Sequence, residues 1–211
     1  HLKDLPYVRA IWTLDEQGRI DLDSDVGNVG LSLADREYFQ VYRRRSNPGY
    51  HIGPGVRSGS RGTWLITTTV PLRDAAGQWR GVMVAAVEPP FLEGLWRELD
   101  LAHQGVVSLF HRDGQLLIRS PPDPQGLGQH YPSLPLFTRE LPRSPEGVFV
   151  GNQGLDEHRR IVAYRMLDLY PQLVIVVGSS VEQVLAPWRR FAWITGGIWL
   201  LAMGIAAAPG R

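Results

Sequence analysis

Histidines, serines and acidic residues are the first candidates for chemistry in this chain, and their spacing argues against catalysis. The six histidines are scattered, with no pair four residues apart and no HExxH motif for zinc. No GxSxG motif, which would present a nucleophilic serine at a strand-to-helix turn, occurs. The chain has no cysteine, which excludes disulfides, zinc-thiolate sites and thiol catalysis. We therefore predict no catalytic residue, no bound metal and no cofactor.

A run of alternating aspartates, Asp21, Asp23 and Asp25, has the spacing with which a calcium loop begins. Calcium takes several oxygens that converge on one turn. The rest of the pattern fails, because Val26 stands where the sharp turn needs glycine and Ser32 stands where a bidentate glutamate is needed. We interpret the run as a solvated acidic loop.

The better candidate site combines one arginine with four hydroxyl side chains. Arg36, Tyr38 and Tyr42 lie on a predicted helix, where the two tyrosines are four residues apart and share a face. Thr67 and Thr69 lie two residues apart and point to one side of a predicted strand. Because a guanidinium offers a planar pair of donors suited to a carboxylate, we predict that these residues line one small pocket. The alternative is that Arg36 pairs with an adjacent acid at the surface and that the threonines are ordinary strand residues.

Hairpins supply the framework for these residues. Each predicted hairpin is a pair of β-prone runs joined by a short polar turn that contains glycine or proline. The strand pairs are 7–14 with 19–22, 64–72 with 79–87, 106–110 with 115–118, and 160–166 with 173–177. A helix is predicted to start at Ser32, with acidic residues in its first turn and three arginines in its last, as the helix dipole favours.

The same plan occurs twice along the chain. In each half a hairpin is followed by a strand pair and then by a helix that reaches a tryptophan, Trp96 or Trp188. Gly18 and Gly114 lie in the first turns of the two halves, and their separation is similar to that between the two tryptophans. We interpret this as an internal duplication that gives an α+β fold of two tandem modules, against the alternative of two unrelated hairpin-rich stretches. The stretch 121–147 is rich in proline, and we predict it to be irregular and surface-lying.

The chain closes on a long apolar run. Phe191 to Ala208 is eighteen residues without a charge, preceded by Arg189 and Arg190. At about 1.5 Å per residue, a helix of this length just spans the core of a bilayer. We predict a transmembrane helix; the alternative is a buried core helix, which would more often show a polar face. Because the chain begins at His1, we expect it to be part of a longer membrane protein.

The composition limits the class of the remaining chain. With 44% hydrophobic and 20% charged residues, it is ordinary globular material with enough apolar side chains for one large or two small cores. Twenty-two basic and twenty-one acidic residues leave a net charge of +1. This balance gives no reason to expect a nucleic-acid partner.

Taken in order, these motifs resemble a known family. A hydrophobic hairpin, the ADREYF helix, a glycine-rich loop, TTTVPL, GVMVAAVE, HRDGQLLIRS, RIVAYR and LVIVVGSS are similar to the double-PAS (double Cache, or PDC) extracytoplasmic sensor region of bacterial diguanylate cyclases and sensor histidine kinases. The resemblance implies two PAS-like modules, each an antiparallel sheet with flanking helices, followed by a transmembrane helix. The implied segments are the tail of a longer helix at 1–5, a membrane-distal ligand-binding module at 6–103, a membrane-proximal module at 104–186, and the transmembrane helix with the start of an output region at 187–211.

The same resemblance implies a function and a location. Such a receptor lies in the bacterial inner membrane as a homodimer, with its sensor region in the periplasm. It relays the binding of a small molecule, here expected to be a carboxylate or an amino acid, to a cytoplasmic diguanylate cyclase or histidine kinase. The alternative is a ligand-free module that serves dimerisation or partner docking.

The resemblance also bears on the candidate pocket. Related sensors of four-carbon dicarboxylates carry an R-x-Y-F helix start and a hydroxyl residue two positions before the proline of the next strand. These features match Arg36, Tyr38, Phe39 and Thr69. Those sensors place a lysine on the last strand where this chain has Ala86, which argues against a dicarboxylate in particular.

One histidine joins the predicted set through the resemblance alone. His51 lies where the family closes its pocket over the ligand, and a neutral imidazole can donate a hydrogen bond to a ligand oxygen or accept one. The predicted ligand-binding residues are therefore Arg36, Tyr38, Tyr42, His51, Thr67 and Thr69.

Overall fold

Two antiparallel sheets form the framework of the molecule. The structure is a computed structural model that describes residues 8–25, 27–44, 49–58, 62–89, 94, 96, 105–152 and 159–206. The predicted helix tail at 1–5 lies outside these residues, as do half of the residues 87–96, where a helix reaching Trp96 is predicted, and the end of the apolar run.

The first sheet has six strands and one helix packed on it. The strands are β1 (Val8–Leu14), β2 (Ile20–Asp23), β3 (His51–Ile52), β4 (Val56–Arg57), β5 (Trp64–Arg73) and β6 (Trp79–Val87), and helix α1 spans Glu37–Arg44. The strands lie in the order β2-β1-β6-β5-β3, and β4 pairs with β5. Gly18 and Gly77 take positive φ angles of 79° and 77° in the two hairpin turns, which is why glycine occupies them.

The second sheet has five strands in an equivalent order. The strands are β7 (Gly105–His111), β8 (Leu116–Ser120), β9 (Glu146–Asn152), β10 (Arg159–Leu167) and β11 (Tyr170–Ser180). They lie in the order β8-β7-β11-β10-β9, so that in both sheets the last strand pairs with the first. Antiparallel sheets with few helices agree with the predicted PAS-like fold, and all four predicted strand pairs are present.

Each sheet has an apolar cluster on one face, and a third apolar cluster joins the two sheets. On the first sheet, Phe39 of α1 packs with Leu14, Val82 and Val84. On the second sheet, the buried cluster is formed by Phe110, Leu116, Leu136, Val162, Tyr164, Val174 and Val176. The joining cluster combines Ile52 and Ile66 with Leu109, Leu117, Ile118 and Leu173.

A long helix follows the second sheet directly. Helix α2 spans Val181–Ala206 and begins at the residue after β11 ends. Its large apolar side chains are exposed, so the alternative of a buried core helix is wrong for the described part; they are Trp188, Phe191, Trp193, Ile194, Ile198, Trp199 and Met203. Within the described residues, no helix is both long and apolar enough to cross a membrane.

Two local predictions were wrong. The first helix begins at Glu37 and not near Ser32, because Ser32 forms a bridge with Arg19 and the amide of Leu33 donates to the carbonyl of Gly18. These contacts hold the segment before the helix against the first hairpin.

The proline-rich stretch 121–147 is also more regular than predicted. It contains a π-helical turn at Leu136–Glu140 and the first residues of β9. Leu136 is only 3% exposed because it packs into the core of the second sheet. A single buried leucine among prolines gives too weak a periodic signal to predict such a turn.

The close contact between β1 and β6 gives a test of the fold. Gly81 has a φ of 143°, and a Cβ placed on it would overlap the carbonyl oxygen of Leu14, whereas a Cβ on Gly77 would meet open space. We expect Gly81→Ala to lower the free energy of unfolding by about 3 kcal/mol through strain and overpacking. Gly77→Ala should cost only about 1 kcal/mol, from its positive φ alone. Urea denaturation measures both, and equal losses would contradict the close approach of these strands.

Candidate functional site

A cavity of about 440 Å³ opens on the face of the first sheet that carries α1. Ala10 and Trp12 of β1 and Leu65 of β5 contribute its apolar wall, because alternate residues of a strand point to one face. The volume falls within the range of pockets that bind small molecules. Its charged lining residues are Arg9, Asp23, Asp25, Arg36 and Arg57.

The acidic side of the cavity is fixed by a network of hydrogen bonds. Arg9 contacts Asp25 through two nitrogens, each 3.0 Å from a different carboxylate oxygen. This hydrogen bond raises the pKa of Arg9, although burial opposes it. Asp23 accepts from the amide side chain of Asn28 at 2.7 Å and from the backbone N–H of Asp25 at 2.9 Å. Since a carboxylate offers about four acceptor positions, both aspartates retain capacity for a ligand cation.

The opposite side carries cationic and aromatic groups. Arg36 lies exposed on the rim, one residue before α1 begins. The Arg57 guanidinium lies 5.2 Å from the centre of the Trp64 ring, a cation–π distance. Tyr38 is 4% exposed and meets Trp12 edge to face, with ring centres 6.3 Å apart. Burial raises the pKa of Tyr38 to about 12, so its hydroxyl stays protonated at neutral pH.

Two more of the predicted residues form a buried contact outside the cavity lining. The Tyr42 hydroxyl donates to the carbonyl oxygen of Thr69 at 2.7 Å and lies 3.1 Å from the Thr69 hydroxyl. The Thr69 hydroxyl donates to the carbonyl oxygen of His51 at 3.2 Å. Burial raises the pKa of Tyr42, and the hydrogen bond with Thr69 opposes it. This network fixes α1 on β5 and β3.

A second polar contact lies beside the first. His51 Nε2 is 2.9 Å from Glu37 Oε2, and this hydrogen bond lowers the pKa of Glu37 although burial opposes it. The Thr67 hydroxyl is fully buried and has no hydrogen-bond partner among the described residues. A Cβ on Gly53 would lie only 3.3 Å from the Thr67 hydroxyl and 3.5 Å from Glu37 Oε2, so glycine allows the chain to pack closely against both residues.

The structure therefore divides the predicted set in two. Arg36 and Tyr38 line the cavity. Tyr42, His51, Thr67 and Thr69 lie together where α1, β3 and β5 meet, and none of them is among the lining residues.

Sequence reasoning missed the acidic side of the cavity. The run that contains Asp23 and Asp25 resembles only an incomplete calcium loop in sequence. That local pattern predicts carboxylates that face solvent, and it gives no sign of a cavity. Arg9 and Arg57 carry no local motif, because only the pairing of β1 with β2 and of β4 with β5 brings them to the cavity.

A family model matches part of the chain. The family is described as the dCache_1-like histidine kinase sensor domain, and the match covers residues 90–178. No curated protein sequence matches the chain significantly.

Solved structures match most of the chain. The extracellular domain of the putative histidine kinase rpHK1S-Z16 is 31% identical, with a TM-score of 0.77 over 89% of this chain and 76% of that one. The ligand-binding domain of the Pseudomonas aeruginosa PAO1 amino acid chemoreceptor PctB, solved with L-Arg, is 14% identical, with a TM-score of 0.65 over 86% and 75%. That of the Pseudomonas fluorescens chemoreceptor CtaA, solved with L-isoleucine, is 17% identical, with a TM-score of 0.65 over 88% and 74%.

The buried tyrosine contact can be tested through stability. We expect Tyr42→Phe to lower the free energy of unfolding by about 1 to 2 kcal/mol, because it removes the hydroxyl that bonds to Thr69 and leaves buried acceptors unpaired. Tyr50→Phe is the matched control, since Tyr50 is 40% exposed and its ring contact with Tyr170 needs no hydroxyl. Chemical denaturation of the two variants should separate them; similar values would contradict the structural role of the Tyr42 hydroxyl.

The Glu37–His51 pair predicts a pH dependence. Because the pKa of Glu37 is lowered in the folded protein, the pair stabilises the fold above the unfolded pKa of about 4.3, and this contribution is lost as the pH falls through the folded value. The Glu37 side chain is 53% exposed, so the contribution should be no more than about 1 kcal/mol. We expect the stability deficit of Glu37→Gln to shrink between about pH 5 and pH 3 in denaturation curves. A deficit that stays constant over this range would show that ionised Glu37 does not stabilise the fold.

Proposed function

The chain belongs to the dCache_1-like histidine kinase sensor domains, and on that premise we propose that it binds an amino acid in the cavity of the first sheet. One observation carries the proposal: the cavity is lined both by carboxylates, Asp23 and Asp25, and by guanidinium groups, among them Arg36 and Arg57. A free amino acid has the complementary pair, an ammonium and a carboxylate. Solved relatives of the same fold in complex with L-Arg and L-isoleucine are in keeping with this ligand class.

Each end of the ligand has a defined partner. Asp23 and Asp25 receive the ammonium, since their orientation is already set by Asn28 and Arg9. Arg36 receives the carboxylate from the rim, where its planar donors approach from solvent. The neutral Tyr38 hydroxyl adds a donor or acceptor at the wall.

The remaining predicted residues lie outside the cavity lining and hold the elements that form it. Tyr42 and Thr69 hold α1 in position, and His51 with Glu37 fixes the start of the helix, next to Arg36. The buried Thr67 hydroxyl, which has no hydrogen-bond partner among the described residues, lies beside this contact. Tyr42, His51, Thr67 and Thr69 therefore belong to the proposed binding site as residues that shape it without lining the cavity.

A dicarboxylate fits this cavity less well. Ala86 is fully buried, and its neighbours across the sheet are Ala10 and Thr67. No cation stands there to bind a second carboxylate. The alternative of a ligand-free docking module is disfavoured, because a cavity of about 440 Å³ is open and no side chain that the structure describes fills it.

The proposed relay runs through the second sheet to α2. The two sheets correspond to a membrane-distal module at 6–103 and a membrane-proximal module at 104–186. Because β11 continues directly into α2, movement of the second sheet reaches the helix without a linker. The described part of α2 is not long and apolar enough by itself to cross a membrane. Its proposed placement at the bacterial inner membrane, with the sensor in the periplasm, is supported by its exposed apolar side chains and by the uncharged run from Phe191 to Ala208.

The full-length receptor is proposed to be a homodimer with a cytoplasmic output domain. A histidine kinase is favoured over a diguanylate cyclase, because the 31% identical relative is the extracellular domain of a putative histidine kinase. Ligand binding biases one of two helix arrangements, and this bias is all that such a relay requires. The sensor region itself binds and does not catalyse.

Removal of Arg36 tests the ligand site. We expect a panel of L-amino acids to contain at least one that raises the melting temperature, since a ligand at a hundredfold excess over its Kd adds about 2.7 kcal/mol of stability. Arg36→Ala should weaken that ligand by about 10- to 100-fold, because a charge-assisted hydrogen bond contributes about 1.5 to 3 kcal/mol. Arg36→Lys should also bind poorly, since an ammonium lacks the planar donor pair. Calorimetric titration measures the affinities.

Two controls make that result specific. Arg44→Ala removes an exposed arginine from the other end of α1 and should bind as the unaltered protein does. The N-acetyl form of the ligand keeps the carboxylate but loses the ammonium, so it should bind weakly. An Arg36→Ala protein with unchanged affinity, or an N-acetyl ligand that binds as well as the parent, would overturn the proposed ligand orientation.

A further inference from the structure

We propose that the second sheet carries its own binding site, a cavity that takes a small oxyanion such as phosphate or a carboxylate between Arg119 and Arg160. The cavity has a volume of about 520 Å³. It is lined by Val106 of β7, the two arginines and the loop from Pro121 to Gln125. This site is separate from the amino-acid site proposed for the first sheet.

Strand register places the two cavities at equivalent positions. In the first sheet Ala10 pairs with Ala86, which pairs with Thr67; in the second sheet Val106 pairs with Gly178, which pairs with Val162. Ala10 lines the first cavity and Val106 lines the second. The second cavity is therefore the counterpart of the first, and not an unrelated surface groove.

The two arginines of the second cavity also occupy positions that match residues lining the first cavity, an aspartate and a leucine. Asp23 faces Trp12 across the first hairpin, and Arg119 faces Ser108 at the same point of the second hairpin. Leu65 stands two residues before Thr67, as Arg160 stands two residues before Val162. An acid and a leucine in the first cavity are thus replaced by two arginines in the second, and the preferred ligand changes accordingly to an anion.

The local surroundings favour an anion with several oxygens. Arg119 is only 7% exposed, and in a water-poor site a guanidinium attracts an oxyanion more strongly than at the surface. Both arginines make contacts within the protein, and a guanidinium with five N–H donors can bind a protein group and a ligand oxygen at the same time. The one acid in the lining, Asp123, accepts hydrogen bonds from the backbone N–H groups of Gln125 and Gly126 at 3.2 and 3.0 Å, which partly neutralise it.

The position of the cavity connects it to the long helix. Arg160 is the register partner of Ser180, the last residue before α2. Arg119 lies on β8 at one edge of the sheet, and Arg160 lies on β10, beyond the β11 strand that leads into α2. An oxyanion held by both guanidinium groups therefore joins strands on both sides of β11 at the end where α2 begins.

A titration with inorganic phosphate tests the site directly. The 211-residue chain is titrated with phosphate at constant ionic strength, with chloride as the reference anion, and the melting temperature is recorded. We expect a saturating rise with phosphate and none with chloride. Arg119→Gln and Arg160→Gln should each move the midpoint of the titration to at least tenfold higher phosphate. Malonate, titrated in the same way, shows whether a carboxylate replaces phosphate.

Matched variants separate this proposal from the amino-acid site. Arg112→Gln, an exposed arginine of the same sheet, and Arg36→Ala should both keep the phosphate midpoint. Arg160→Gln should keep the response to the amino acid that binds the first sheet. Circular dichroism checks folding, and if Arg119→Gln does not fold, the half-buried Arg160 gives the decisive variant. No rise with either anion, an unchanged midpoint in Arg160→Gln, or loss of the phosphate response in Arg36→Ala would overturn the second site.

Discussion

The side-chain amide of Gln115 joins the two sheets, and the shape of the first cavity depends on it. Gln115 is 4% exposed, accepts a hydrogen bond from the backbone N–H of Gly55, and donates to the carbonyl oxygens of Gly55 and Gly128 at 3.2 and 3.0 Å. Gly55 directly precedes β4, which forms a wall of the cavity. A buried amide satisfied at both ends is costly to break, because each unpaired group retains its desolvation penalty. The first cavity is therefore shaped partly by a residue of the second sheet.

Packing around this amide restricts the same junction. A Cβ on Gly128, which has a φ of 79°, would overlap the ring of Trp64, so only glycine allows the second sheet to approach so closely. Trp64 in turn supports the Arg57 guanidinium at the cavity. Apolar residues of both sheets close the remaining space. One set of contacts thus serves the stability of the interface and the orientation of a cavity residue.

Much of the framework could be predicted from the sequence, because its signals are local. The alternating strands and glycine turns gave all four strand pairs, and Arg36 and Tyr38 lie at the cavity as the pattern suggested. The cationic partner Arg9 could not be found, since only β-sheet pairing brings it to Asp25. Short strands such as β3 and β4 also escape prediction, because two residues are too few to show a period. The periodicity of local segments was enough to predict the strands. The charged residues of the cavity could not be predicted in the same way, because residues distant in sequence form it.

The two sheets carry side chains of opposite charge at one equivalent position of their strand registers. Asp23 and Arg119 hold the same register position, and a change of side chain there reverses the charge that a ligand meets without altering the strands. The positions that face the cavities are therefore open to change, whereas those at the Gln115 junction are constrained by packing.

Because β11 passes directly into α2, the strand determines the direction of the side chains along the helix. With no residue between Ser180 and Val181, the helix inherits its angular phase from the strand. Each residue of an α-helix advances the side-chain direction by about 100°, so a single inserted residue at this junction would turn every later side chain to a different azimuth, while about seven would nearly restore it. The junction therefore sets the direction in which each face of α2 points along the described helix.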